Sequence, residues 1–132
     1  MPIKKVQKKK TQEDQYNYFF EVEEKIGRTP LGLFTNQAYY DDPRRLAILF
    51  SRYKFVGKML SGRKNVGEVG CGDAFGSRLV QQEVGRLTVY DFDPLFIEDI
   101  RARDTTERWH LDARVHDMLK GPLPKKHDAI YS

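Results

Sequence analysis

A short apolar segment that runs directly into a glycine-rich loop constrains the fold of this chain more than any other feature. Residues 65–69 read Asn-Val-Gly-Glu-Val, and residues 70–76 read Gly-Cys-Gly-Asp-Ala-Phe-Gly. Glycine lets a backbone turn sharply and lets a ligand approach it closely, while the helix predicted after the loop offers N–H groups at its start. At the carboxyl edge of a parallel sheet, this arrangement is typical of a loop that binds a nucleotide or nucleoside.

Strand-like and helix-like patterns alternate along the chain around this loop. A carboxylate before a proline predicts a helix start at Asp42, because proline has no N–H to lose in the first turn. The predicted elements are a helix from Asp42 to about Gly62, a strand at 65–69, a helix at 77–84, a strand at 87–92, a helix from Pro94 to about Arg103, a strand at 113–116 and a strand beginning at His127. Alternation with short connections predicts a Rossmann-like, doubly wound parallel α/β sheet of about four strands, with an N-terminal helical extension.

Charge and composition divide the chain into three predicted parts. Five lysines within the first ten residues account for the net charge of +4, since the remainder carries 18 Lys and Arg against 19 Asp and Glu. We therefore expect a flexible Lys-rich arm at 1–14, a helical and aromatic cover at 15–62, and a cofactor-binding domain at 63–132. The balance makes nucleic acid an unlikely partner of the body, although the arm could touch a polyanion weakly.

Localisation and metal content are constrained by what the sequence lacks. It contains no apolar run of the ~18 residues that a membrane span needs, and the lysine-rich start has no signal-peptide core, which predicts a cytoplasmic protein with no membrane partner. The single cysteine, Cys71, has no partner for an internal disulfide or a zinc framework. Three histidines share no ligand spacing, so no metal site is predicted.

Two further acids follow the second and third predicted strands. Asp91 stands 23 residues after Glu68, where a carboxylate can accept hydrogen bonds from both ribose hydroxyls of an adenosine. Asp117 could accept from the exocyclic amine of adenine, and Met118 could lie against the face of the base. The alternatives are that Asp91 is only a helix cap before Pro94, although Asp93 is the favoured cap, and that Asp117 is an ordinary loop acid.

The sequence Glu-Val-Gly-Cys-Gly after a strand, an acid ending the second strand, and Asp-Met after the third resemble class I S-adenosylmethionine-dependent methyltransferases. The resemblance covers roughly residues 52–132. It implies a loop around the methionine moiety, with Glu68 acting indirectly, a ribose-binding acid and an adenine site. The positions that it assigns to the cofactor are Glu68, Gly70, Cys71, Gly72, Asp91, Phe92, Asp117 and Met118, of which Cys71 is interpreted as a small packing residue of the loop without a nucleophilic role.

The charge of the loop favours this cofactor over a dinucleotide. Glu68 and Asp73 would repel phosphate, whereas S-adenosylmethionine carries a sulfonium and an ammonium. Dinucleotide enzymes usually show Gly-x-Gly-x-x-Gly without the preceding acid, so an NAD-type site is the less favoured hypothesis. The sequence departs from the family where Ala74 replaces a third glycine, with Gly76 two residues further on.

The chain reaches only the fourth predicted strand, whereas a full class I domain has seven and takes acceptor-binding residues from later loops. We therefore expect a methyltransferase, or its cofactor-binding portion, with an unidentified acceptor and unassigned catalytic residues. The alternative is a non-catalytic binding or assembly module that pairs, as a homo-oligomer or with a partner, through an exposed edge strand at 127–131.

Two smaller alternatives remain open in the N-terminal half. The aromatic residues between 16 and 40 could form a lid over a pocket or an ordinary cover of the core, the second being favoured. One of Arg52, Tyr53 and Lys54 could reach the cofactor carboxylate, or Arg52 and Lys54 could belong to a solvated helix face.

Overall fold

A computed structural model describes residues 10–104 and 107–132 of the chain. The predicted Lys-rich arm therefore lies mostly outside the described residues. The elements in chain order are α1 (Asn17–Ile26), α2 (Leu33–Asp41), α3 (Arg44–Met59), β1 (Asn65–Val69), α4 (Ser77–Gln81), β2 (Arg86–Asp91), α5 (Pro94–Arg103), β3 (Asp112–Val115) and β4 (Ala129–Tyr131), with short 3-10 turns at Asp14–Tyr16, Glu107–Trp109 and Met118–Lys120.

The four strands form one parallel sheet in the order β3-β2-β1-β4. In this order β2 and β3 lie on one side of β1, and the chain then crosses back so that β4 pairs with the other side. The direction of winding thus reverses next to β1, which defines the switch point of a doubly wound sheet. The predicted fold class, a partial Rossmann-like α/β sheet preceded by helices, is confirmed.

The core lies between one face of the sheet and the helices α4 and α5. The strands contribute Val66, Val89 and Ala113, and the helices contribute Val80 and Ile97, among other buried apolar side chains. Helix α3 packs against α4, where the backbone of Gly57 approaches the carbonyl of Leu79. Burial of these side chains is the main stabilising term, at about 25 cal/mol for each Å² of apolar surface removed from water.

The opposite face of the sheet is covered by the segment that leads into β4. The ring of His127 lies over Gly67, so closely that a Cβ at Gly67 would be 2.9 Å from it. Its Nε2 is 2.8 Å from the hydroxyl of buried Tyr90, and its Nδ1 is 2.9 Å from Oδ1 of Asn65. Burial lowers the pKa of His127, so this histidine is a packing residue of the sheet.

Local boundaries differ from the sequence prediction by one to three residues, and two of the differences have a clear structural cause. Helix α4 ends at Gln81 rather than near residue 84, because a turn brings Gly85 against Lys64, whose carbonyl would be 2.7 Å from a Cβ at Gly85. Strand β4 begins at Ala129, because the Asp128 carboxylate accepts the N–H groups of Lys64 and Asn65 at 3.0 Å and so precedes the ladder. The predicted cap of α3 is present as an Asp42 carboxylate that accepts from the Arg44 N–H at 3.1 Å.

The aromatic residues of the N-terminal segment are mostly exposed. Six of the seven between residues 16 and 40 belong to this exposed set, namely Tyr16, Tyr18, Phe19, Phe34, Tyr39 and Tyr40. These side chains therefore contribute little to the buried core, and the cover stays a prediction. The buried side chains of α2 are Thr35 and Ala38, which are both small. Within the described residues, no helix combines the length and hydropathy that crossing a bilayer would require.

Candidate cofactor-binding edge of the sheet

The loop after β1 has alternating left-handed residues. Gly70 and Gly72 have φ angles of 73° and 56°, and a Cβ built on either would meet no atom within 4 Å among the described residues. Ala74 adopts the same region with φ 52°, at a cost of about 1–2 kcal/mol for a residue with a side chain. Ala74 thus takes the conformation expected of a third glycine, and the open space before Gly70 and Gly72 leaves their backbone accessible to a ligand.

The first N–H groups of the loop are already used within the protein. Gly70 and Cys71 donate to the carbonyl of Tyr90 at 2.8 and 2.9 Å, and Gly72 donates to Oδ2 of Asp91 at 2.8 Å. Phosphate-binding loops depend on free N–H groups that converge on the anion. The backbone here therefore presents an open surface without that convergent donor set.

Asp91 joins the loop to the end of β2. The carboxylate is buried, and its other oxygen, Oδ1, accepts from the N–H of Asp93 at 2.9 Å. Each carboxylate oxygen has a second lone pair, so both can still accept a ligand hydroxyl. Asp93 caps α5 by accepting from the Leu95 N–H at 2.9 Å, which confirms that Asp93 is the capping acid at that helix start.

Beneath the loop, the buried carboxylate of Glu68 accepts three hydroxyl hydrogen bonds. Oε1 accepts from Tyr53 at 2.5 Å, and Oε2 accepts from Ser77 at 2.5 Å and from Tyr131 at 2.8 Å. Burial raises the pKa of Glu68, an effect that the three donors oppose. Burial and the Glu68 charge together raise the pKa of both tyrosines, so they remain neutral donors. Glu68 thus ties α3, α4 and β4 to the base of the loop.

Tyr53 was predicted as one of three residues that could reach a cofactor carboxylate, and the structure turns it inward to Glu68 instead. Its neighbours Arg52 and Lys54 are exposed, as expected of a solvated face. A Cβ at Gly76 would be 2.4 Å from the Tyr53 ring, which explains the glycine at that position. Sequence reasoning missed the Tyr53 contact, although its place on the apolar stripe of α3 indicated burial.

At the third strand, Asp117 begins the short turn Met118–Lys120 and accepts from the Leu119 N–H at 2.9 Å. Met118 and Phe92, each following a strand end, expose 48% and 70% of their surface. Apolar side chains exposed at this edge are available to contact a ligand. The ribose role of Asp91 and the adenine roles of Asp117, Met118 and Phe92 remain predictions.

Cys71 belongs to the glycine-rich loop, and its side chain is buried. Burial is the main cause that raises the pKa of its thiol, and the negative charges of Glu68 and Asp91 act in the same direction. Because a thiol reacts as its thiolate, this environment suppresses reactivity. The interpretation of Cys71 as a packing residue agrees with its position.

We expect the Cys71 thiol to be almost inert toward a disulfide reagent in the native protein at pH 8. Its rate should be more than about 100-fold below that of the unfolded chain, since both thiolate fraction and access are reduced. The chain has one cysteine, so absorbance at a single wavelength follows this residue alone. A native rate close to that in denaturant would contradict the described burial.

A cavity lies on the helix side of the loop rather than at the sheet edge. It measures about 230 Å³ and is lined by residues that include Phe50, Arg78 and Trp109, with Asp73 and Ala74 of the loop. The guanidinium of Arg78 lies 4.6 Å from the centre of the Trp109 ring. Among the described residues, no cluster of His, Cys, Asp and Glu is arranged to hold a metal ion.

Comparisons with known proteins find similarity in three-dimensional structure but not in sequence. No protein-family model matches this chain, and no curated protein sequence matches it significantly. A dimethyladenosine transferase from Plasmodium falciparum aligns with a TM-score of 0.49 and 22% identity, over 61% of this chain and 29% of that structure. A chain from the complex between the Haloferax volcanii Trm112 methyltransferase activator and a protein assigned as a methyltransferase aligns with a TM-score of 0.45 and 20% identity, over 76% and 46%. This chain therefore spans less than half the length of either structure.

Proposed function

We propose that this chain binds S-adenosylmethionine at the carboxyl edge of β1 and β2, as the cofactor-binding part of a methyltransferase. The observation that carries the proposal is the open, left-handed backbone of Gly70 and Gly72 directly beside the buried carboxylate of Asp91. A nucleoside cofactor needs both a close backbone approach and an acceptor for its ribose hydroxyls.

The charge at this edge supports a cationic ligand. Asp73 and Asp91 are exposed by only 4% and 6%, and they lie in the loop and at the strand end beside it. A charge that is screened little by solvent attracts an opposite charge more strongly than one in bulk water. These carboxylates would attract a sulfonium or ammonium group. They would repel the phosphates of a dinucleotide, which would also find no convergent N–H groups.

Each part of the cofactor has candidate residues in this chain. The loop around Gly70 and Gly72 would receive the methionine moiety, Asp91 the ribose, and Asp117 with the exposed Phe92 and Met118 the adenine. The sulfonium supplies an activated methyl group, so the protein's task is to align an acceptor with it. The acceptor itself, and the residues that hold it, are not assigned.

A competition experiment separates this proposal from a dinucleotide site. S-adenosylhomocysteine keeps the adenosine and amino-acid groups, so at about 100 times its Kd it should raise the free energy of unfolding by about 2.7 kcal/mol. NAD at the same concentration should neither raise the melting temperature nor displace S-adenosylhomocysteine. Stabilisation by NAD alone would favour the rejected dinucleotide site.

A non-catalytic assembly module is the second candidate, favoured by the edge position of β4. Among the described strands β4 pairs only with β1, and Ile130 in its middle is exposed. An exposed apolar edge favours pairing with a second chain. Light scattering on the purified protein should then show a dimer, and a clean monomer at high concentration would remove this candidate.

A further inference from the structure

The amino end of α2 is bound to the glycine-rich loop through the carboxylate of Asp73. Oδ2 of Asp73 accepts from the N–H of Thr35 at 2.7 Å and from the Thr35 hydroxyl at 3.0 Å. Both side chains are buried. The two residues are 38 positions apart in sequence, so this contact joins the N-terminal helices to the loop.

A second acid holds the same helix end. The N–H of Leu33 donates to Oδ2 of Asp99, on α5, at 3.0 Å. Arg103 pairs with that same oxygen at 3.2 Å and also donates to the backbone carbonyl of Asp73. The start of α2, the loop and α5 are thereby connected by polar contacts at one point.

Gly32 is required by the closeness of this contact. A Cβ at Gly32 would lie 2.3 Å from Oδ2 of Asp73, a distance at which the carboxylate must move. The N–H of Gly32 also donates to the hydroxyl oxygen of Thr35 at 2.8 Å, which orients that side chain. We call Gly32, Leu33 and Thr35, together with Asp73 and Asp99, the α2 clasp.

We propose that Gly32 and Thr35 are positioning residues that hold the cofactor loop in its binding conformation through Asp73. The other oxygen of Asp73, Oδ1, accepts from the N–H of Phe75 at 3.2 Å, across the left-handed Ala74. One carboxylate therefore fixes both the start of α2 and the turn that contains the strained alanine. Asp73, expected from the sequence to act by charge alone, has a second role as the link between the two segments.

Hydrogen exchange measured residue by residue tests this inference without a ligand. In Thr35→Val, which keeps the shape and removes the hydroxyl, we expect exchange at the Phe75 amide to be about tenfold faster, as for loss of a hydrogen bond to a charged group. Thr35→Ser should restore the slow rate, because it keeps the hydroxyl. Asn36→Ala, at an exposed position of the same helix, is the matched control and should leave the rate unchanged.

Gly32→Ala should reproduce the effect of Thr35→Val without changing any residue of the loop. The positioning role is wrong if, in both Thr35→Val and Gly32→Ala, the exchange rate of the Phe75 amide is within about twofold of its rate in the Asn36→Ala control. The positioning role is equally wrong if Thr35→Val, rather than Thr35→Ser, preserves slow exchange at the Phe75 amide. That result would indicate that Thr35 acts through packing alone.

The ligand arm of the test rests on the proposed function. Thr35→Val should weaken binding of S-adenosylhomocysteine about five- to tenfold. If the two sites are coupled, the bound ligand should also slow exchange at Leu33 and Thr35 in the native protein. Unchanged affinity in Thr35→Val, with a native protein that binds, would overturn the coupling. A native protein that does not bind would instead contradict the proposed function, while the exchange rates would still decide the clasp.

Discussion

Replacement of Asp91 by alanine should weaken binding of S-adenosylhomocysteine by at least about 100-fold. A hydrogen bond to a charged group contributes about 1.5–3 kcal/mol, and two ribose hydroxyls would lose their acceptor together. The N–H groups of Gly72 and Asp93 would lose theirs as well, which loosens the loop. Titration calorimetry on the folded variant measures the effect directly.

Asp93→Ala is the matched control for this change. Asp93 lies two residues away and caps α5, so its loss should cost about 1 kcal/mol of stability without a comparable loss of affinity. Circular dichroism would establish that both variants keep the native fold. If Asp91→Ala binds within about threefold of the native protein, the ribose-binding role of Asp91 is wrong.

Replacement of Glu68, in β1 beneath the loop, by alanine should lower the free energy of unfolding by about 3–5 kcal/mol. The change leaves the hydroxyls of Tyr53, Ser77 and Tyr131 without their acceptor and opens a cavity beneath the loop. Urea unfolding gives the value. A loss below about 1 kcal/mol would contradict the described network of hydrogen bonds.

Glu68→Gln is the matched variant, since it keeps the volume and one acceptor oxygen, and it isolates the effect of charge. Burial raises the pKa of Glu68 above its usual value of 4.5, so the folded state binds the proton more tightly than the unfolded state. The resulting contribution to the free energy of unfolding is fully present at pH values below 4.5, and it is lost as the pH rises through the pKa of Glu68 in the folded state. The stability of the native protein relative to Glu68→Gln should therefore fall with rising pH. A rise instead would mean that the three hydroxyl donors outweigh burial.

The local signals in the sequence were sufficient for the elements around the loop. Strand-like runs located β1 and β2, the proline at position 94 located the start of α5, and turn chemistry identified Asp93 as a cap, because these features depend on neighbouring residues. The placement of Asp91 and Asp117 at strand ends on one edge followed from the parallel topology alone. These parts of the fold were predictable because each strand enters the sheet in the same direction.

The contacts between distant segments were not predictable in the same way. Asp73 was expected to act only through its charge, yet it binds Thr35, and nothing in the local pattern of either residue indicates the pairing. Tyr53 and Tyr131, which lie in the distant elements α3 and β4, both donate to Glu68. The N-terminal aromatics were interpreted as a cover of the core, whereas six of the seven are exposed and the buried side chains of α2 are the small Thr35 and Ala38.

Titration of the native, folded protein with S-adenosylhomocysteine tests the central claim most directly. The geometry of Gly70, Gly72 and Asp91 predicts saturable one-to-one binding with a Kd in the micromolar range, or about −8 kcal/mol of binding free energy. Absence of binding heat at several temperatures, by protein that retains its circular dichroism and melts cooperatively, would contradict the proposed cofactor site.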